Sequence, residues 1–321
     1  MASGFTVATN EHLIDTSVLS KQLKQNLYDE LFAMKWLKII DVPGGSTTVN
    51  IASIGDAEQS DFVEGQAVKY SRFDTGNYTF IIDQYKYSAN SISEKFKRDS
   101  LHAQEVISSF GPKQHRVIME GVETRIYNRA NAGQTASSLN TINEADHRWV
   151  ASGTSEAIAL IDFAKAHYAL TKANVPMTNL VAVVDPTVAY TLQTQTNLVN
   201  LLSPTQMWAP IVNKGISTGT RFLGNLSIYG FDVYVSNYLP RDIAETISGR
   251  STTVGVANLF FSATPGDTMP IVGAFTQMPT VYSEFNKDLQ QTEYLTITEY
   301  GMKLYREENM VIVLSDTNVV V

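Results

Sequence analysis

The sequence predicts an α+β fold in two lobes, with the outer lobe built from both ends of the chain. Three observations predict it. Apolar and polar residues alternate from Thr47 to Tyr87 as in a long β-hairpin, whereas residues 91–131 carry helical spacing. A central block then reads strand, turn, helix, and β pattern returns from Tyr282 to the end. Flanking elements that must pair around an inserted block give two lobes. With 321 residues, 44% of them apolar and 17% charged, the chain has material for such a core and is not a disordered polypeptide.

Residues 11–40 have Leu19, Leu23, Leu27, Leu31 and Phe32 at helical spacing, with Lys21 and Lys24 interleaved. They predict a helical N-terminal segment ended by Pro43-Gly44-Gly45, packing on its own core or reaching a neighbour. In the hairpin, Val49 and Ile51 answer Tyr78, Phe80 and Ile82, while Gly55, Gly65 and Gly76 mark turns. No basic residue lies between Lys38 and Lys69, yet Asp41, Asp56, Glu58, Asp61 and Glu64 all do. An acidic tip repels itself and favours a basic partner surface, or stands simply solvated.

The helical stretch after the hairpin aligns Ile118, Val122 and Ile126 in one stripe, and Pro112 starts this helix or kinks a longer one. From Lys95 to Arg129 there are seven bases (Lys95, Lys97, Arg98, Lys113, Arg116, Arg125, Arg129) against four acids, the one locally basic run in the chain. Residues 131–143 read as a loop. Thr154 is expected to cap the next helix, with Glu156 in its first turn and Ala157, Leu160, Ile161, Ala164 and Tyr168 as its buried stripe. Leu180–Val184 is an unbroken apolar run, as in a strand buried on both faces, and Asp185-Pro186 pairs an N-cap with proline at the first helical position. A glycine-rich loop at 215–224, a strand pair turning at Gly230, a buried strand at Val256–Phe261 and terminal strands on either side of Gly301 complete the reading.

Several chemistries are excluded or unsupported. There is no cysteine, which removes disulfides, thiolate metal sites and thiol catalysis. The five histidines have no zinc spacing, and no phosphate loop, dinucleotide fingerprint or nucleophile elbow occurs. Thirty-two acids against 24 bases leave a net charge of −8, a poor basis for gripping phosphates, though enclosing nucleic acid without specific binding is compatible with it. No apolar run reaches membrane-spanning length and the N-terminus lacks a signal core, so no membrane partner is expected. No catalytic residue, cofactor or metal is assigned. A lysine–asparagine isopeptide between subunits stays open, with Lys69 and Lys86 as the hairpin lysines.

Four stretches resemble the Hong-Kong-97-like major capsid proteins of tailed bacteriophages, those of short-tailed phages in particular. They are Phe62-Val-Glu-Gly65 with Tyr78-Thr-Phe-Ile-Ile-Asp83; the helix Val117 to Arg129; Ala169 to Pro176 with Leu180 to Pro186 and Tyr190; and Leu226 to Ser236 with Leu239-Pro240 and, later, Glu299-Tyr-Gly-Met-Lys303. Their order and spacing carry the resemblance, over about Thr47 to Leu314. It implies an N-terminal arm (1–46), an extended loop (47–87), a peripheral domain with a long spine helix (88–153 and 284–321) and an axial α/β domain (154–283). Gly65, Pro186, Gly230 and Gly301 become its structural turns. The implied function is structural: copies form hexamers and pentamers of an icosahedral head around double-stranded DNA, and the chain is no enzyme.

The resemblance also implies that the tip residues Asp56, Glu58, Asp61 and Glu64 meet the basic stretch of a neighbouring subunit. Because only about forty residues precede the hairpin, a separate scaffolding protein is expected, beside a portal and a decoration protein, with assembly in the host bacterial cytoplasm. An encapsulin-type compartment shell would share these patterns. An α/β hydrolase-like enzyme lacks its motifs here, and a β-rich adhesin or tail protein fits the central helices poorly.

Overall fold

A computed structural model describes residues 29–42, 47–55, 61, 64–67, 75–100, 103–194 and 222–316. A 3-10 turn, Ala33–Trp36, leads into β1 (Leu37–Asp41), followed by β2 (Thr48–Ile54), β3 (Thr75–Ile81), β4 (Gln84–Ser93), α1 (Glu94–Asp99) and α2 (Ala103–Ala132). Then come β5 (Arg148–Val150), α3 (Leu160–Lys172), β6 (Leu180–Val184), α4 (Pro186–Thr194), β7 (Phe222–Ile228) and β8 (Phe231–Val235). The chain finishes with β9 (Ile243–Ile247), β10 (Arg250–Ser262), β11 (Ile271–Asn286), β12 (Gln291–Leu304) and β13 (Val311–Asp316).

Three sheets result: a four-stranded sheet in the order β1-β11-β12-β4, a seven-stranded sheet β5-β13-β10-β6-β8-β7 with β9 paired to β10, and the two-stranded ribbon β2-β3. The seven-stranded sheet is buried on both faces. Ala182 and Val184 of β6 pack with Phe163, Leu170, Val188 and Leu192 of α3 and α4, while Val181 and Val183 join Trp36, Ile126, Tyr127 and Met302 on the other side. Burial on both faces is why β6 shows no alternation in sequence. The second cluster spans both large sheets and α2, so the two lobes share a core.

The strand pair at Gly230 forms as expected, with Tyr229 and Gly230 both in the left-handed region (φ 50° and 84°), the pattern of a tight hairpin turn. Pro186 opens α4 behind Asp185, whose carboxylate accepts from the Thr187 N–H at 3.0 Å. Pro112 falls inside α2 rather than at its start. The helix is held there from the side: Gln114 donates to the Tyr294 carbonyl (3.0 Å) and accepts from the Thr296 hydroxyl (2.8 Å).

Several expectations are corrected. The N-terminal helix does not extend to 40: Leu37–Asp41 is a strand parallel to β11, because pairing with Ile271–Phe275 supplies bonds that local helix propensity cannot match. Its earlier part, residues 11–28, lies outside the described residues, as do Pro43-Gly44-Gly45, Lys69 and the glycine-rich 215–221. The ribbon closes at Ile81, and β4 continues as a separate strand to Ser93, so the helical region starts at Glu94 rather than 91.

Thr154 caps no long helix. It opens a 3-10 turn in which Ser155 has φ 50°, and α3 starts at Leu160, where the Asp162 carboxylate accepts from the Ala159 N–H at 2.9 Å. The buried face of α3 is accordingly Phe163, Ala166, Ala169 and Leu170, leaving Ile161 and Tyr168 exposed. β13 lies between β10 and β5, so residues 311–316, expected in the outer lobe, belong to the central sheet. Their alternating contacts with α3 and with the shared core explain this, since every residue from Val311 to Leu314 is buried.

Candidate inter-subunit surfaces

Among the described residues the ribbon is anchored at its base. Val49, Phe80 and Ile82 cluster with Val272 and Ala274 of β11, and a Cβ on Gly301 would sit 2.5 Å from the Ile81 carbonyl oxygen and 2.7 Å from the Ile82 Cα. Gly301, expected as a turn between two strands, lies inside β12 and instead permits a backbone crossing that no side chain would allow. Tyr78 donates its hydroxyl to the Leu304 carbonyl, stacks edge-on against Tyr305 at 5.3 Å, and lies under the Lys303 ammonium at 4.5 Å. Burial, with Glu307 and Tyr305 adding to it, drives the Tyr78 hydroxyl well above its ordinary range, so it stays a donor. Lys38 pairs with Asp267 beside the same ring cluster.

Away from this base the ribbon opens to solvent, where Ile54 is 75% exposed. Of the acidic tip, Asp61 and Glu64 are exposed and Gly65 takes φ 85°; Asp56 and Glu58 lie outside the described residues.

The basic stretch divides. Arg125 and Arg129, one helical turn apart, both donate to a single oxygen of Asp83, at 3.0 and 2.8 Å. Arg116 binds Glu120 at 2.9 Å, Lys97 binds Glu94 and Thr292 at 2.5 Å each, and Arg98 stands 3.9 Å from Asp99. Lys95 and Lys113 are exposed on α1 and α2 and carry no ion pair among the described residues. The structure thus brings most of the seven bases to acids of their own chain and leaves two lysines without an ion pair among the described residues. Asp83 was not singled out in the sequence, where the signal was a carboxylate at the ribbon's return paired with arginines four residues apart on one helix face.

Buried carboxylates hold structure rather than chemistry. Glu123 accepts from the Phe32 and Ala33 N–H groups and from Tyr127, tying the N-terminal turn to α2. Asp185 accepts from Arg241 at 2.6 Å, and Asp162 from Trp149, Ser152 and Ala159. Among the described residues no group of three His, Asp or Glu could hold a metal ion, and no helix is long and apolar enough to cross a membrane.

The fold is that of solved phage capsids. The capsid of cyanophage P-SCSP1u superposes with a TM-score of 0.69 at 13% identity, over 99% of this chain and 96% of that one. The capsid of Ralstonia phage GP4 gives 0.67 at 11% over 99% and 100%, and a chain of Mycobacterium phage Che8 gives 0.64 at 16% over 92% and 96%. No curated protein sequence matches. The family model for phage capsid proteins matches residues 79–308, more than half of the chain, so the chain belongs to the phage capsid protein family, as a major capsid protein of tailed-phage type. It is a structural component of the virion that self-assembles into a shell.

Proposed function

We propose that the chain forms the hexamers and pentamers of an icosahedral head that encloses double-stranded DNA, without catalysing any reaction. The ribbon carries this reading: beyond its anchored base a two-stranded ribbon is marginal in water, and its exposed Ile54 and acidic tip call for a surface on another copy. The tip residues Asp56, Glu58, Asp61 and Glu64 meet the neighbour's helical edge, where Lys95 and Lys113 are free and Arg98 is loosely held. Exposed pairs contribute under about 1 kcal/mol each, and repetition over many interfaces makes them sufficient for register.

The remaining partners are a separate scaffolding protein and a portal, with assembly in the host cytoplasm. Division into arm, loop, peripheral and axial parts is kept with moved boundaries: β5 and β13, which pair in the seven-stranded sheet, go to the axial side, and β11, which pairs with β12 from Ile271, goes to the peripheral side. A net charge of −8 suits DNA that is enclosed and later released.

Electron microscopy of the expressed protein tests the reading: closed shells of regular diameter are expected from the wild type. The variant Asp61→Lys with Glu64→Lys is expected to lose them while its circular dichroism is unchanged, and Lys95→Glu with Lys113→Glu added is expected to restore them. Normal shells from the tip variant alone would sink the docking assignment. Particles filled with an enzyme instead of DNA in infected cells would overturn the phage-head reading in favour of a compartment.

A further inference from the structure

Edge strands of soluble chains are usually short, charged, bulged or interrupted by proline, because a row of unpaired N–H and C=O groups templates association. β1, one edge of the four-stranded sheet, has five residues including Lys38 and Asp41, and β5 has three. β4, the other edge, does not follow the rule. It runs ten residues in unbroken register with β12, without proline or glycine, and Lys86 is its single charge. Among the described residues no strand pairs with its outer side.

The sheet face beside this edge is also open. Thr296 and Tyr294 turn toward α2 through Gln114 and Phe110, so the alternate residues of β12 and their partners point the other way. On that face stand Tyr87 (70% exposed) and Tyr85 (61%), followed across the strands by Ile297, Leu295 and Tyr282.

We infer that β4 pairs antiparallel with β4 of a second copy about a two-fold axis, joining two four-stranded sheets into one of eight strands. Charge selects this occupant. The open face also carries Glu284, Glu293 and Glu299, which would repel the acidic ribbon tip of a neighbour. A strand paired with itself needs one surface rather than two, and opposed side chains share a face, so the axis passes through a residue. With the axis at Ser88, Lys86 faces Asn90; at Ala89, it faces Ile92. Neither register sets like charges together, in a chain whose net charge of −8 otherwise drives copies apart.

The inference rests on self-assembly of the chain, and the absence of cysteine makes it testable. Single substitutions Gln84→Cys, Ser88→Cys, Ala89→Cys and Ser93→Cys are made in the full chain, assembled and oxidised. Residues facing their own copy have Cα atoms about 4.5–5.5 Å apart, within disulfide reach, whereas positions 84 and 93 would be separated by about 27 Å or more. Ser88→Cys or Ala89→Cys is expected to shift from monomer to dimer on a non-reducing denaturing gel, with Gln84→Cys and Ser93→Cys remaining monomeric. Shells that form while all four stay monomeric, or that link best at either end of the strand, overturn the two-fold pairing. So does a disulfide from β4 to a cysteine placed in the ribbon at Ile54. Failure of the unsubstituted chain to form any shell would instead remove the capsid reading, and this inference with it.

Discussion

Arg148 is 1% exposed, and its guanidinium makes two bonds to Glu245, at 2.7 and 3.0 Å, across the join between β5 and β9. Burial alone would raise the Glu245 pKa; the bonds from Arg148 and the Ser137 N–H outweigh it and hold the carboxyl below its ordinary range. The folded state therefore gains from this group above the ordinary carboxylate value and loses the gain as pH falls through the lowered one. Glu245→Ala strands a buried guanidinium and should cost about 3–5 kcal/mol, while Arg148→Met with Glu245→Leu should lie much nearer the wild type. Urea unfolding of the unassembled subunit measures both. The neighbouring His147 behaves oppositely in sign of charge: burial lowers its pKa despite its bond to the Ala145 carbonyl. Below its ordinary value of 6.5 the unfolded chain takes the proton first, so stability falls with pH, and His147→Gln should flatten that slope in the same unfolding series.

At the scale of elements, the crossing of the ribbon base over β12 is a tight contact of backbone against backbone. Gly301→Ala places a methyl against the Ile81 carbonyl and the Ile82 backbone, neither of which can swing aside as a side chain could. A cost of about 1–3 kcal/mol is expected, with faster amide exchange at residues 78–82 and an intact central sheet, since the strain falls on the crossing of the ribbon base with β12. Such contacts mark the boundary of what the sequence discloses. β6, the Asp185-Pro186 start of α4 and the Tyr229-Gly230 turn are legible because their signals are local: an apolar run, a cap, a left-handed pair. β1 is not, since its five residues are a strand only through Ile271–Phe275, more than two hundred positions away. The start of α3 is not legible in the sequence because Asp162, inside the helix, takes the capping role that Thr154 suggests from outside it. The candidate site divides in the same way. Acidic residues clustered in one turn can be counted along the chain, whereas the pairing of Arg125 and Arg129 to Asp83 joins positions 42 and 46 apart and appears only on folding.

For the whole molecule, two electrostatic terms oppose each other during assembly. Copies each carrying a net charge of −8 repel, and this repulsion acts over distances that salt shortens to about 8 Å at physiological strength. The proposed contact between the acidic tip and Lys95 and Lys113 attracts, and salt weakens it as well. The wild type alone cannot separate them, because both terms change in the same titration. A variant with Asp61→Asn and Glu64→Gln removes half of the tip's charges, which weakens the attraction, and lowers the repulsion by two charges. If net charge governed assembly, this variant would assemble faster than the wild type at low salt. With the tip contact in place it should assemble more slowly, by several-fold if each lost pair is worth a few tenths of a kcal/mol and the losses repeat around a hexamer. Light scattering at a series of salt concentrations distinguishes the two. The rates of wild type and variant should differ most at low salt, converge as ionic strength approaches about 1 M, where the screening length falls to about 3 Å, and never cross.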